Sequence, residues 1–417
     1  LTSLWFGSRF IKPEYNGGSC QQSSIYVIIN LNSAYTRTTF MTPSLPGAHQ
    51  QTAAQPAELA QLTSLRFFAA LGVLSSHLLF LREIDNPIKT IANIFFGEGH
   101  CGVTFFLVLS GFILTHAYQQ SLIQKTLSTK TYLLLRLARI WPLHILTALP
   151  FIAYLFYKHG SDMLSVVGIN IFLLQSWVPL VKYYISLNAV SWSLSVELFF
   201  YVSFIFLVRS SVKFLQKIAF LWFVVISAAA ALMIFYGNSH WSTATGEIQI
   251  NHWMFYINPV FRLLDFMVGI LVYRVAFIKK NKTQDSTFSE IAAVSLLITS
   301  AYVYSTFVFP EILRAQLLYL PLMAYVVYAF STGTGTISRL LKGKTLVLLG
   351  EASFSLYLIH NPIISLANAL FLKASINTSI LVYAIILTVF CVVASVLTYT
   401  FVEKPIHNYL KARIKTL

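Results

Sequence analysis

The chain has 417 residues, of which 57% are hydrophobic and only 10% charged, and its mean hydropathy is +0.70. Soluble domains carry about 25% charged residues, so composition excludes a polar-surfaced soluble domain and implies an all-α polytopic membrane protein. The net charge of +15 does not indicate a nucleic-acid partner, because the basic residues recur in short bursts between apolar runs, as cytoplasmic loops do. Cys20, Cys101 and Cys391 are scattered and odd in number, so neither a disulfide framework nor a metal site follows from them.

Residues 1–63 differ from the rest: 17–61 is rich in Ser, Thr, Gln, Asn and Ala, with only 25–29 apolar. We expect a disordered or dispensable extension here, without a secretory signal, and Met41 heads a more ordinary lead-in to the first span. On this reading residues 1–40 are an extension or a start-site artefact.

Sustained apolar runs then follow at about 64–81, 101–119, 139–157, 190–208, 214–236, 259–278, 290–309, 314–331, 350–372 and 379–402. A further run, 163–181, is interrupted by Gly168, Asn170, Gln175 and Pro179. Counted as a full span it would place Arg209, Lys213 and Lys217 outside; treated as re-entrant or interfacial, it leaves every basic cluster inside. The expectation is therefore a helix bundle of about ten spans, with both termini cytoplasmic, a membrane domain over 64–410 and a basic tail over 411–417.

The chemistry-bearing residues appear in order along these spans. Arg66 and His77 share the apolar stretch 65–81, and at 3.6 residues per turn they project from one face, about 16 Å apart. A cation and an imidazole are costly in hydrocarbon and usually face a protein interior or an aqueous cavity; a snorkelling Arg and a hydrogen-bonded His are the structural alternative. In the second span Ser110 and Gly111 permit close helix approach. The third opens Arg136-Leu137-Ala138-Arg139-Ile140-Trp141-Pro142, with Arg136 and Arg139 on one face as either a snorkelling anchor or a bidentate phosphate clamp. Span four carries Ser191-Trp192-Ser193-Leu194-Ser195-Val196-Glu197. Glu197 lies one turn from Ser193 and Tyr201, and its natural partners are Arg66 or His77. Trp241, Trp253 and Tyr256 in the 237–258 loop suit either sugar stacking or an interfacial belt. Arg262 and Asp265 are spaced as a structural intrahelical ion pair, and Ser353, Tyr357 and His360 share one helical face.

Taken together, these runs resemble the acyltransferase-3 family of integral-membrane acyltransferases. The resemblance is carried by Arg66-Phe67-Phe68-Ala69-Ala70 through His77, then 106–112, Arg136 to Pro142, Ser191 to Glu197, Arg262-Leu263-Leu264-Asp265-Phe266, Ser353 to His360 and Phe401-Val402-Glu403-Lys404-Pro405. It covers about 64–410. Many members have an acidic residue where this chain has Thr104, so no role for that carboxylate carries over. Some relatives also carry a C-terminal hydrolase-like domain, and we expect none in this chain.

The resemblance implies transfer of an acyl group, most often acetyl, from acyl-CoA as co-substrate to a hydroxyl, with no permanently bound cofactor. Arg136 and Arg139 would hold the donor's phosphates, and Ser191, Trp192, Ser193, Tyr357 and His360 would line the substrate site. His77 is the expected general base, with Glu197 orienting or charge-balancing the site and Arg66 stabilising oxyanion charge; an acyl-enzyme on Ser193 or Ser110 is the other route. A sugar-containing acceptor in the bacterial envelope and residence in the inner membrane are further expectations. A secondary transporter or flippase for an anionic or glycosylated solute uses similar intramembrane charges, but no internal repeat relates the two halves. With 163–181 not spanning, single cysteines introduced at 182–189 will react with impermeant reagent from the outer side; cytoplasmic labelling would refute the ten-span arrangement.

Overall fold

The computed structural model describes residues 59–78, 80, 97–237, 249–278, 285–307, 309–374 and 379–416; residues 1–58 of the expected extension 1–63, and Trp241, lie outside them. Among the described residues the chain is helical throughout. Its principal helices are α1 (Ala60–Ser76), α2 (Cys101–Ile123), α3 (Thr129–His159), α4 (Leu164–Ile171), α5 (Trp192–Leu207), α6 (Val212–Phe235), α7 (Pro259–Ile278), α8 (Thr287–Thr306), α9 (Tyr319–Phe330), α10 (Lys344–Glu351), α11 (Ser353–Ala374), α12 (Ile380–Thr398) and α13 (Lys404–Lys415).

Among the described residues eight helices or continuous helical runs are long and apolar enough to cross a bilayer, and α10 with α11, bent by 58° at Ala352, makes a ninth where the pair is taken as one span. The 17 residues of α1 sit at the lower limit of a spanning helix. The run 163–181 does not span. It breaks into α4 and short pieces at Gln175–Trp177 and Val181–Tyr184, and α4, at eight residues, reaches only about 12 Å. Leu173 and Leu187 adopt left-handed φ values of 57° and 58°, a conformation that stops a helix and costs roughly 1–2 kcal/mol for a residue with a Cβ.

Two boundaries differ from the sequence pattern. The first helix begins at Ala60, inside the expected extension, because Gln61 and Ser64 are buried and donate to the Phe330 and Leu341 carbonyls at 2.9 and 2.6 Å. The basic tail continues as α13 to Lys415, joined to α12 by a π-turn at Tyr399–Glu403.

The core lies where α2, α5, α7 and α9 meet, with Phe200 stacked on Phe266 at 4.7 Å between ring centres. In contrast, α6 turns Phe220, Leu221, Phe223 and Leu232 outward, as a helix in contact with lipid does. A close backbone approach joins α2 and α7 through two facing glycines. A Cβ on Gly111 would lie 2.2 Å from the Phe266 carbonyl oxygen, and one on Gly269 would lie 2.0 Å from that of Val108. The small-residue reading of Gly111 is thus correct, and Gly269 is its counterpart. Gly269→Ala must push two backbones apart, an overpacking cost of about 1–3 kcal/mol. We expect a lower apparent Tm of the detergent-solubilised protein than for Gly168→Ala, where an added Cβ meets nothing within 4 Å.

Candidate active site

Five helices deliver polar side chains to one cavity of about 170 Å³. Arg66 comes from α1, Ser110 from α2, Arg136 and Arg139 from α3, Ser193, Glu197 and Tyr201 from α5, and Ser353 and Tyr357 from α11. Helical spacing explains the sets: 193, 197 and 201 repeat every four residues, as do 353 and 357, while 136 and 139 are three apart. Between these groups the walls are apolar, formed by Val103, Phe106, Leu107, Ile113 and Ile140 among others.

Arg136, Arg139 and Glu197 have protein partners. Arg139 pairs with Glu403, whose other carboxylate oxygen accepts from Ser355 Oγ at 2.5 Å, and its guanidinium lies 5.2 Å from the centre of the Phe354 ring. Arg136 donates to the Tyr118 hydroxyl at 2.5 Å and stacks over that ring at 4.7 Å. Tyr201 hydrogen-bonds Glu197, which feels the charges of Arg66, Arg136 and Arg139. Three guanidiniums therefore face two carboxylates, Glu197 and Glu403. The surplus positive charge suits an anionic ligand.

The imidazoles stand apart from this cluster. His77 is the C-cap of α1, with Nδ1 2.8 Å from the Val73 carbonyl oxygen. His360 Nε2 lies 3.4 Å from that Nδ1, and the two rings are 5.0 Å apart. Neither imidazole belongs to the cavity wall. Tyr357 does, and its ring is 6.1 Å from His360 and 5.9 Å from Phe106, so it stands between the arginines and the imidazole pair.

The sequence-derived site is therefore two groups. Arg66 lines the same cavity as Arg136, Arg139 and Glu197, and its charge reaches Glu197 without an ion pair between the two. The alternative, Glu197 with His77, is not among the contacts of the described residues, and eleven residues of helix, about 16 Å, separate Arg66 from His77. Ser193, Ser353 and Tyr357 line the cavity, whereas His360, one turn further along α11, meets His77. Ser191 and Trp192 lie outside the cavity because they sit at the start of α5, roughly 200° and 100° round the helix from Ser193. Ser191 receives Gln175 Nε2 on its carbonyl at 3.0 Å, and Trp192 packs on Tyr256 with ring centres 4.9 Å apart.

The remaining motifs do not line the cavity. Arg262 pairs with Asp265 at 3.0 Å, both fully buried, and donates to Thr104 Oγ1 and the Ala315 carbonyl, each at 2.9 Å. Thr104 thus meets Arg262 as a neutral acceptor, and Asp265 supplies the countercharge. Trp253 opens the π-turn Trp253–Ile257 and donates to the Ser176 carbonyl at 2.9 Å. Sequence reasoning missed Tyr118 and the working role of Glu403. The latter lay inside the quoted C-terminal motif, but its partner is 264 residues away.

Compared with known families, residues 59–400 match the one described as an acyltransferase domain. The chain is also similar to the acyltransferase MdmB of Streptomyces mycarofaciens, with 27% identity over 372 residues, covering 85% of this chain and 93% of that protein. No solved structure matches.

Proposed function

We propose, from the premise that this chain belongs to the acyltransferase family and is an integral-membrane acyltransferase, that it moves an acetyl group from acetyl-CoA to a hydroxyl of a sugar-containing envelope acceptor. The bilayer would be the bacterial inner membrane, with both termini cytoplasmic. Family membership replaces the transporter alternative. The observation that carries this reading is the convergence of Arg66, Arg136 and Arg139 on one cavity, with His77 about 16 Å further along the Arg66 helix.

The donor is bipartite. Its phosphates are anionic, and its thioester sits at the end of a long pantetheine arm. Guanidiniums hold phosphates bidentately, so Arg136 and Arg139 at the cytoplasmic mouth bind the donor's anionic end. Arg66 and Glu197 belong to that same end by position. We assign Arg66 to donor binding, in place of the oxyanion role expected from sequence, and Glu197 to balancing the arginines, one of the two roles expected for it. The apolar walls then accept the arm, which extends towards Tyr357 and the imidazoles.

His77 Nε2 takes the proton of the acceptor hydroxyl as its oxygen attacks the thioester carbonyl. The C–S bond breaks, and the departing thiolate of CoA recovers the proton from His77. One ester and one free thiol result. An imidazole suits this exchange because its ordinary pKa of about 6.5 lies near operating pH.

The full chain in nanodiscs, given radiolabelled acetyl-CoA and host envelope extract, should label glycan. His77→Ala should lower kcat by about 10²–10⁴-fold, the usual range for general-base removal, whereas Arg139→Gln should act chiefly by raising the donor KM. Wild-type-like transfer by His77→Ala would discard the base, and absence of labelled glycan with wild type would discard the acetyl or the sugar assignment.

A further inference from the structure

His360 is fully buried, lies outside the cavity and still faces His77. Its tautomer follows from its partner. Nδ1 lies 3.0 Å from the Leu356 carbonyl oxygen, and a carbonyl only accepts, so Nδ1 carries the proton and Nε2 the lone pair of the neutral ring. The same argument applies to His77. Its Nδ1, 2.8 Å from the Val73 carbonyl, carries the proton, which leaves Nε2 as the basic nitrogen. The two assignments are mutually consistent, because the single Nδ1–H of His77, held chiefly by Val73, is shared with the lone pair of His360 Nε2 at 3.4 Å.

The turn that carries His360 is itself fixed. Pro362 lies inside α11 and has no N–H to give the carbonyl four residues earlier. That carbonyl, Leu358, instead receives Asn188 Nδ2 at 2.7 Å, and Asn361 Nδ2 reaches back to Asn188 Oδ1 at 3.4 Å. A helix that would otherwise be free to hinge at Pro362 is tied on both sides of His360.

We propose that His360 is the positioning residue for His77: a neutral imidazole that accepts the Nδ1–H of His77 and holds its Nε2 towards the acceptor hydroxyl. This rests on the reading of His77 as general base. As Nε2 takes the proton, the ring's new charge is shared with Nδ1–H, so its bonds to Val73 and His360 become charge-assisted and strengthen. Carboxylates usually serve this purpose in base–orienter pairs. Here the neutral imidazole of His360 performs it.

Solid-state NMR on the ¹⁵N-histidine-labelled full chain in lipid tests the pair without any substrate. Both rings should be protonated on Nδ1 alone, with a proton-mediated contact between His77 Nδ1 and His360 Nε2; an Nε2-protonated His360 overturns the proposal. In the acetyl-CoA and envelope-extract assay, His360→Leu should lower kcat at least tenfold with donor KM within about twofold. His360→Gln, whose amide oxygen reaches towards the place of Nε2, should recover most of the loss. The double variant His77→Ala/His360→Leu should be no slower than His77→Ala alone, as groups acting as a unit behave. Equal damage by Leu and Gln in monodisperse protein, or an effect confined to KM, overturns the positioning role. A silent His360→Leu beside an inactive His77→Ala defeats this proposal alone, whereas an active His77→Ala defeats the base reading beneath it.

Discussion

A charged or strongly polar side chain within an apolar bundle must find its partner inside the protein, and that constraint sorts the chain's ionisable residues. Some form closed arrangements. Arg262 is spent on Asp265, Thr104 and a carbonyl. Arg274 donates to the Ser210 and Val208 carbonyls at 2.6 and 2.7 Å, satisfying acceptors at the end of α5 that have no intrahelical donor. Glu290 accepts from the Gly335 and Ser338 amides at 3.1 and 3.0 Å and so fixes the start of the short helix Thr336–Leu341. Each of these stabilises a helix junction. Arg66, Arg136, Arg139 and Glu197 differ because they are gathered around open space, and a concentration of charge around a cavity is where a ligand replaces water.

The site is built where helices depart from regular geometry. A bend of 58° at Ala352 starts α11 afresh and brings Ser353 and Tyr357 to the cavity wall. The π-turn Tyr399–Glu403 ends on the carboxylate that joins α3 to α11 through Arg139 and Ser355. The end of α1 at Ser76 leaves His77 as a cap, its ring held by the preceding turn, and Pro362 would break α11 next to His360 without Asn188. Such irregularities expose backbone groups that need compensation. At Pro362 and at the end of α1 they are met by Asn188 and by the His77 ring, so those two departures are held rather than loose.

This pattern explains which parts of the site were legible in the sequence. Faces of single helices follow from a period of 3.6, so the sets 136/139, 193/197/201 and 353/357 were readable, as was the helical membrane architecture from composition and run length. Contacts between distant helices carry no such period. His77 and His360 are 283 residues apart, and nothing local to either announces the other. The shared face of Arg66 and His77 was also readable, yet it misled: a common face on one helix says nothing about a wall from another, and Tyr357 of α11 supplies that wall. Ser191 and Trp192 belonged to the right motif but the wrong side of α5.

The distance between the arginines and the imidazoles has a physical consequence for the reaction we propose. A base that takes a proton becomes a cation in the transition state, and neighbouring cations oppose it. At an effective dielectric of about 20, two unit charges 4 Å apart interact by about 4 kcal/mol, and at about 16 Å by about 1 kcal/mol. Placing His77 beside the phosphate-binding arginines would therefore have set donor affinity against proton transfer. The long donor arm removes the conflict, because its charge and its reacting carbonyl are far apart. Three guanidiniums serve one end while a neutral imidazole, His360, supports the base at the other.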